Sequence, residues 1–141
     1  MRIRHATLAD VEALAAISTE FGYKPGTADL AERLQQLMAL PDHAVFAAED
    51  EGVVLGWGHA RITRQIETPS YAELAALVVT QGRRSQGIGS TLVAAAEQWA
   101  RGQGQASIRV RSNVIRERAH RFYLREGYAE LKQQKTFVKT L

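Results

Sequence analysis

Apolar side chains recur at two different spacings along this chain, and each change of spacing marks a new element. Residues 2–6 alternate as in a short strand, and helical spacing then begins at Thr7, where Asp10 is placed to cap the exposed amides. A second helix is predicted from Thr27, because its apolar side chains fall on one face, at Leu30, Leu34, Leu37 and Met38. The chain before residue 43 therefore predicts one strand followed by two helices.

Between residues 43 and 79 the spacing changes to the two-residue period of β-strands. Residues 43–49 and 53–64 flank Asp50-Glu51-Gly52, a composition typical of a hairpin turn, and residues 71–79 are apolar enough for a central strand. Later segments predict a helix with an Ile88, Leu92, Ala95 and Trp99 stripe, a strand (106–111), a helix (115–126) and a strand (134–140). The predicted order, β-α-α-β-β-β-α-β-α-β, belongs to the α/β class.

Composition favours a single folded domain over residues 1–141. Hydrophobic residues make up 45% of the chain, and no repeat or linker divides it. The absence of cysteine excludes a disulfide framework, a cysteine nucleophile and cysteine-ligated metals. No apolar stretch is long enough to cross a membrane or to act as a secretory signal, so we expect a cytoplasmic protein without a membrane partner.

The charge balance is mildly basic and uneven. The net charge is +3, yet residues 101–125 hold seven arginines and a single acid, Glu117. Arginine suits planar, bidentate binding of phosphate or carboxylate. This distribution favours a small anionic ligand over nucleic acid, and a solvated basic helix face is the alternative.

The strongest chemical signal is a glycine-rich segment between the apolar strand and the following helix, Arg84-Ser85-Gln86-Gly87-Ile88-Gly89. Glycines let an anion approach the backbone, and a helix N-terminus offers unpaired amides and a positive dipole end. The segment therefore predicts a pyrophosphate site, with a tight strand-to-helix turn as the alternative. It is neither a P-loop, which needs a following Lys-Ser/Thr, nor a dinucleotide fingerprint.

The segment resembles the acetyl-CoA-binding motif of the GNAT superfamily of N-acetyltransferases. A second block supports the resemblance: Asn113 follows the next strand, and residues 119–128, Ala-His-Arg-Phe-Tyr-Leu-Arg-Glu-Gly-Tyr, are similar to the late helix of the family and its Gly-aromatic turn. The two blocks stand in the family's order, and the resemblance spans nearly the whole chain. It implies a GNAT-like fold with a mixed, mostly antiparallel central sheet flanked by helices.

The resemblance also implies acetyl-CoA as cosubstrate, with no metal. The residues that match the coenzyme-binding positions of the family are Leu77, Val78, Val79, Arg84, Ser85, Gln86, Gly87, Ile88, Gly89, Ser90, Asn113, Arg116, Ala119 and Tyr123. One departure is Gln81, where the family often has proline, and we expect a less rigid loop there.

Two residues are predicted to be catalytic. Glu73 lies six residues before Val79, so an unbroken strand would place both side chains on one face, and the family often carries its base at this position. The alternative for Glu73 is an ion pair with Arg61, Arg109 or Arg111. Tyr123 matches the tyrosine whose hydroxyl faces the coenzyme sulfur in the family, and it is the predicted general acid; core packing is its alternative.

The acceptor-side residues are predicted from strand and loop positions. Trp57, His59 and Arg61 alternate onto one strand face, and Arg109 and Arg111 share a face of the strand predicted over residues 106–111. His59 could act as a second base, although a lone strand histidine is more often structural. Phe21 and Tyr23 lie between the first two helices, where the family builds its acceptor lid.

These residues together predict an N-acetyltransferase that moves an acetyl group from acetyl-CoA directly to a primary amine of a small molecule or peptide, through a ternary complex. The alternatives are a non-catalytic acyl-CoA-binding module or sensor, and a nucleic-acid binder, which the lack of strand aromatics for base stacking disfavours. The sequence leaves the acceptor open. A homodimer paired through the last strand is conceivable.

Overall fold

A computed structural model describes residues 1–83 and 86–141. Its α-helices are α1 (Val11–Thr19), α2 (Thr27–Met38), α3 (Ile88–Gly102) and α4 (Glu117–Arg125). Its strands are β1 (Arg2–His5), β2 (His43–Asp50), β3 (Val53–Thr63), β4 (Tyr71–Val79) and β5 (Ile108–Val110). Short 3₁₀ turns at Leu8–Asp10 and Gln81–Arg83 precede α1 and follow β4. The chain forms two compact units, Met1–Val110 and Arg111–Leu141.

The five strands form one mixed sheet in the order β1-β2-β3-β4-β5. All neighbours are antiparallel except β4 and β5, which are parallel. The predicted hairpin is present between β2 and β3, where Glu51 (φ 50°) and Gly52 (φ 80°) both adopt positive φ. That backbone is the two-residue turn whose twist matches antiparallel strands. The predicted α/β class and mixed, mostly antiparallel sheet are confirmed.

One residue in the middle of β4 has no partner on β3. His59 pairs with Ala76 and Ala60 pairs with Leu74, so Ala75 is the extra residue of a β-bulge. A bulge moves every later side chain of its strand to the opposite face. Glu73 therefore shares a face with Ala76 rather than with Val79. The prediction that Glu73 and Val79 point to the same face is wrong, because that count assumed an unbroken strand.

The register defines two faces of the sheet. We call the one that carries Trp57, His59, Arg61 and Thr63 of β3 the Trp57 face, and the other the Gly56 face. Helices α1 and α2 cover part of the Trp57 face, where Leu14 and Leu34 pack with Val45, Ala47 and Trp57. Helix α3 covers the Gly56 face through its apolar stripe, in which Ile88 and Leu92 are buried.

The start of α1 is tied to the edge of the sheet as its sequence predicts. The backbone N–H of Thr7 donates to the Asp10 carboxylate at 2.8 Å, and both terminal nitrogens of the Arg4 guanidinium donate to the same carboxylate at 2.8 Å. The hydrogen bonds from Arg4 hold the pKa of buried Asp10 below its usual range. Strand β1 is thereby fixed to the first helix.

The second unit, 111–141, contains α4 and an extended C-terminal segment. The strand predicted over residues 134–140 is absent, since residues 128–141 form no helix or strand. Phe137 and Val138 are 88% and 94% exposed. Local sequence alone does not make a strand, because a strand also needs a neighbour to accept and donate its backbone hydrogen bonds. None of the helices among the described residues is long and apolar enough to cross a bilayer.

The contact between β3 and α3 generates a test of the fold. A methyl group on Gly56 would lie 2.9 Å from the carbonyl oxygen of Val78 and 3.3 Å from Ile88 and Leu92 side chains. We therefore expect Gly56→Ala to lower the free energy of unfolding by about 1–3 kcal/mol, because backbone must move to admit the methyl. Urea denaturation measures the change.

The matched control is Gly58→Ala, two residues along the same strand. Its methyl group would meet no atom closer than 3.6 Å. We expect a change of less than about 1 kcal/mol for this variant. Equal stability of the two variants would contradict the packing described for Gly56.

Candidate active site

The glycine-rich segment forms a turn that opens directly into α3. Gly87 is left-handed (φ 79°), and a Cβ placed on it would meet nothing within 4 Å, so the space beside it is open. The first backward helical bond of α3 runs from the N–H of Thr91 to the carbonyl of Gly87 at 3.0 Å. The backbone N–H groups of Ile88, Gly89 and Ser90 come before Thr91 in the chain and form the N-terminal end of the helix. Such an N-terminus of a long helix suits an anion.

The turn is anchored on both sides. Before it, Glu20 at the end of α1 accepts hydrogen bonds from Thr80 Oγ1 (2.8 Å) and from the backbone N–H of Gln81 (2.9 Å), and the Gln81 amide donates to the Glu20 carbonyl (3.2 Å). A proline at position 81 could not make the backbone bond. Although Gln81 departs from the family pattern, its hydrogen bonds to Glu20 restrain the chain at this position.

Arg83 ties the turn to the β2–β3 hairpin. Its guanidinium donates to Gln86 Oε1 at 2.8 Å and to Asp50 Oδ2 at 3.3 Å. Gln86 thus positions a neighbouring side chain from within the predicted coenzyme loop. Arg84 and Ser85, which were predicted to bind the coenzyme, lie outside the described residues.

Strand β4 has an open edge beside this turn. Strand β5 pairs with Ala72, Glu73 and Leu74 alone, and its pairing stops just before the bulge at Ala75. Among the described residues of the first unit, no other strand pairs with β4 on the β5 side beyond Leu74. Leu77, Val78 and Val79, the predicted coenzyme-binding residues of the strand, lie on this stretch. Their backbone is placed to form hydrogen bonds with an extended ligand.

Glu73 is buried on the Trp57 face in an ion pair. It is 4% exposed, and its Oε2 accepts hydrogen bonds from Arg61 Nε (3.1 Å), an Arg61 terminal nitrogen (2.9 Å) and Thr63 Oγ1 (3.1 Å). Of the ion-pair alternatives for Glu73, the structure contains the one with Arg61. The role of Glu73 as a base stays a prediction.

Two further arginines, Arg109 and Arg111, were predicted on the acceptor side. Arg109 is the register neighbour of Glu73 on β5, and its guanidinium carbon stacks 3.9 Å from the centre of the Tyr71 ring. Strand β5 ends at Val110, so Arg111 belongs to the second unit and does not share a strand face with Arg109. The strand predicted over residues 106–111 was too long by two residues at its start and one at its end.

His59 has a partner that the sequence did not single out. His59 Nε2 lies 2.9 Å from Nδ1 of His43, the first residue of β2. Burial, together with the neighbouring His43 and Arg61 charges, lowers the pKa of His59 to about 4. Strand parity places His43 on the same face as Val45 and Ala47, and only the β2–β3 register brings it beside His59. Trp57, by contrast, packs against α1 and α2.

The remaining predicted residues lie in the α1–α2 loop and in the second unit. Phe21 is half-buried and Tyr23 is exposed, both just after α1. In the second unit, the Asn113 carbonyl accepts hydrogen bonds from the Arg116 N–H (2.9 Å) and His120 Nε2 (2.8 Å). These bonds fix the approach to α4, on which Ala119 and Tyr123 lie one turn apart.

Tyr123 is held by aromatic neighbours. Its ring lies edge-on to Phe122 (5.1 Å) and to Tyr128 (5.8 Å). Burial raises the pKa of the Tyr123 hydroxyl to about 12. The hydroxyl therefore keeps its proton, and can donate it, throughout the neutral range.

Comparisons with known proteins agree with this architecture. The profile of the Acetyltransferase (GNAT) family matches residues 11–128. The chain is 32% identical over 134 residues to an aminoalkylphosphonate N-acetyltransferase from Salmonella typhimurium, covering 91% of this chain and 84% of the relative. It is 30% identical over 116 residues to an aminoglycoside N(6')-acetyltransferase type 1 from Klebsiella aerogenes, covering 80% and 76%.

A solved structure shares the fold. The aminoglycoside N-acetyltransferase AAC(6')-Iy in complex with CoA superposes with a TM-score of 0.84 at 16% identity, over 99% of this chain and 100% of that one. The glycine turn at α3, the open edge of β4 and the family match over most of the chain lead to one conclusion. This chain belongs to the GNAT family of acetyltransferases and is an acyltransferase whose cosubstrate is acetyl-CoA.

Proposed function

We propose that this enzyme transfers an acetyl group from acetyl-CoA directly to the primary amine of a small molecule, within a ternary complex. The observation that carries the proposal is the glycine turn at the N-terminus of α3 beside the open edge of β4. The turn suits the pyrophosphate of the coenzyme, and the strand edge suits the amides of its pantetheine arm. A cytoplasmic location, a homodimer and a single domain over residues 1–141 stay predictions.

Direct transfer has four requirements: alignment of the two substrates, a neutral amine, a hydrogen-bond donor for the developing oxyanion and a proton for the leaving thiolate. We assign the backbone amide of Val79 as the oxyanion donor. Tyr123 donates the proton to the thiolate. A chain without cysteine cannot form a thioester on its own thiol, which supports direct attack by the amine.

The charges of the Trp57 face favour an acceptor that carries an anionic group besides its amine. Arg61 is neutralised by Glu73, whereas Arg109 has no carboxylate partner among the described residues and is held by the Tyr71 ring. Arginine binds phosphonate and carboxylate groups through paired hydrogen bonds. This arrangement matches a relative that acts on aminoalkylphosphonates better than one that acts on aminoglycosides, which are polycations.

One prediction concerns the glycine turn. Gly87→Asp and Gly87→Asn add side chains of the same shape into open space, and Asn and Asp tolerate left-handed backbone better than other residues. We expect Gly87→Asp to bind acetyl-CoA at least about tenfold more weakly than Gly87→Asn, because only aspartate repels the pyrophosphate. Calorimetry measures both dissociation constants, and equal affinities at low salt would contradict the assignment.

A second prediction concerns the proton for the thiolate. Tyr123→Phe keeps the ring contacts with Phe122 and Tyr128 and removes only the hydroxyl. We expect turnover to fall by about ten- to a hundredfold, at or below the usual range for general acid catalysis, since a thiolate is a tolerable leaving group unaided. Acetyl-CoA affinity should stay within a few-fold of the parent. Unchanged turnover from acidic to alkaline pH would make Tyr123 a packing residue.

The acceptor itself is tested by release of free thiol over a panel of amines. The panel holds aminoalkylphosphonates, amino acids, polyamines, aminoglycosides and a lysine peptide. We expect the highest kcat/KM with an amine that carries a phosphonate or carboxylate group. No thiol release with any amine would overturn the proposed function, and a preference for aminoglycosides would overturn the assigned charge preference.

The role of Arg109 gives a sharper test on the same panel. Arg109→Gln should raise the KM of the anionic amine by about ten- to a hundredfold, the value of one or two charge-assisted hydrogen bonds. The KM of an uncharged amine should change little. The matched control is Arg101→Gln, because the Arg101 side chain is exposed near the end of α3. We expect this variant to keep the KM values of the parent enzyme. Equal effects of the two substitutions would exclude Arg109 from acceptor binding.

A further inference from the structure

The Trp57 face carries two titratable groups close to the bulge in β4, Glu73 and the His43–His59 pair. His59 lies directly opposite Ala76, and Glu73 lies just before the bulge on the same face. The two groups therefore flank Ala75, where β4 separates from β5. A base for the acceptor amine is needed beside this point if the acetyl group is presented there.

The donors around Glu73 restrict what it can do. Three hydrogen bonds, two from Arg61 and one from Thr63, converge on a single carboxylate oxygen. A carboxylate that is fixed this way holds a guanidinium in place and orients the strands that carry it. If Glu73 accepted a proton, its ion pair with Arg61 would break, and the Glu73 carboxylate in that pair is buried.

The His43–His59 contact has the opposite property, because it must share a hydrogen. His43 Nδ1 and His59 Nε2 are 2.9 Å apart, so one of these two nitrogens carries the hydrogen between them. The far nitrogen of His43, Nε2, lies 3.9 Å from Asp42 Oδ1. At this distance no hydrogen bond forms, but a hydrogen on that nitrogen faces a carboxylate, and the negative charge favours this tautomer. His43 Nδ1 is then the acceptor, His59 Nε2 is the donor, and His59 Nδ1 keeps a lone pair.

The route from His59 leads away from the sheet face toward the surface. Asp42 is itself held by Arg64 at 3.1 Å, and both residues of that ion pair are partly exposed. His43 also lines a cavity of about 370 Å³ together with Leu40 and Pro41. A proton that reaches His43 Nε2 therefore has a carboxylate and open space beside it.

The groups around His59 disfavour a proton that stays on it. His43 of β2 and Arg61 of β3 repel the imidazolium, and Glu73 of β4 attracts it more weakly. The pKa of His59 is lowered to about 4 as a result of burial and of these charges. An imidazole in this setting stays neutral at neutral pH and serves as a base only if its proton is passed on.

We propose that His59, rather than Glu73, takes the proton of the acceptor amine, and that His43 and Asp42 relay a proton from it to solvent. The N–H bond of the amine breaks and its proton binds His59 Nδ1. The hydrogen on His59 Nε2 moves to His43 Nδ1, and the one on His43 Nε2 leaves past Asp42 to water. Both rings remain neutral with their tautomers exchanged, and exchange with water restores them. This inference rests on the proposed acetyl transfer.

The kinetic test compares His59→Gln, His43→Gln and Glu73→Gln with the best acceptor of the panel. At neutral pH, His59→Gln should lower kcat by roughly 10²–10⁴-fold, with acetyl-CoA affinity unchanged. The loss should shrink as the pH rises, because the amine then deprotonates in bulk water. His43→Gln should show a smaller loss, about tenfold, with the same recovery. A packing role for the histidines predicts no recovery at high pH.

Two comparisons complete this experiment. His5→Gln, on β1 against Phe46, is the matched control and should keep parent kinetics. Glu73→Gln should lose stability in urea denaturation, and its kcat should not recover at high pH. Recovery in Glu73→Gln together with normal turnover in His59→Gln would overturn the proposal and make Glu73 the base. Should His59→Gln unfold, His59→Asn replaces it.

A measurement without acceptor separates this inference from the proposed function. Long-range ¹H–¹⁵N spectra of the imidazoles report which nitrogen carries hydrogen, and the signals are assigned by their loss in His43→Gln and His59→Gln. We expect both histidines with hydrogen on Nε2. Hydrogen on Nδ1 of His59 would overturn the relay even if the enzyme acetylates amines. Absence of acetylation with the expected tautomers would overturn the base role along with the proposed function.

Discussion

The site depends on one unpaired residue, Ala75, in the middle of β4. Two changes coincide there: the register with β3 shifts by one residue, and the pairing with β5 ends. The shift puts Glu73 on the same face as Arg61 and His59, so that the ionisable groups meet on one side of the sheet. The end of pairing leaves the backbone around Val79 as an edge. The bulge thereby positions both the ionisable groups and the strand edge of the candidate site.

The second constraint is the fixed position of the glycine turn. Gly87 has a left-handed backbone conformation, which residues with L side chains rarely adopt. Ile88, 2% exposed, anchors the first turn of α3 in the core against β3. Glu20 holds the backbone that enters the turn, and Asp50 holds Arg83 within it. The helix amides are therefore placed before any ligand arrives, which lowers the entropic cost of binding.

The two arginines of β3 and β5 on the Trp57 face have different partners. Glu73 neutralises Arg61, which leaves Arg109, stacked on Tyr71, as a cation able to take an anionic group of the acceptor. Burial, together with the His43 and Arg61 charges, lowers the pKa of His59 and keeps it neutral, a requirement for a group that accepts protons at neutral pH. The proposed anionic acceptor and the proposed proton relay thus rest on the same distribution of charge.

The sequence by itself determined most of the elements, the Glu51-Gly52 turn, the glycine turn before α3 and the family, because each depends on short-range pattern or on residues close in the chain. It also named Glu73, Arg61 and His59, but it could not decide how they are arranged. Counting from Glu73 to Val79 failed at the bulge, since strand parity is a property of pairing rather than of composition. His43 became a candidate only through the β2–β3 register, and Glu20 only through packing of α1 against β4. Residues 134–140 were predicted to be a strand yet form none, because a strand is decided by a neighbour that the local sequence does not contain.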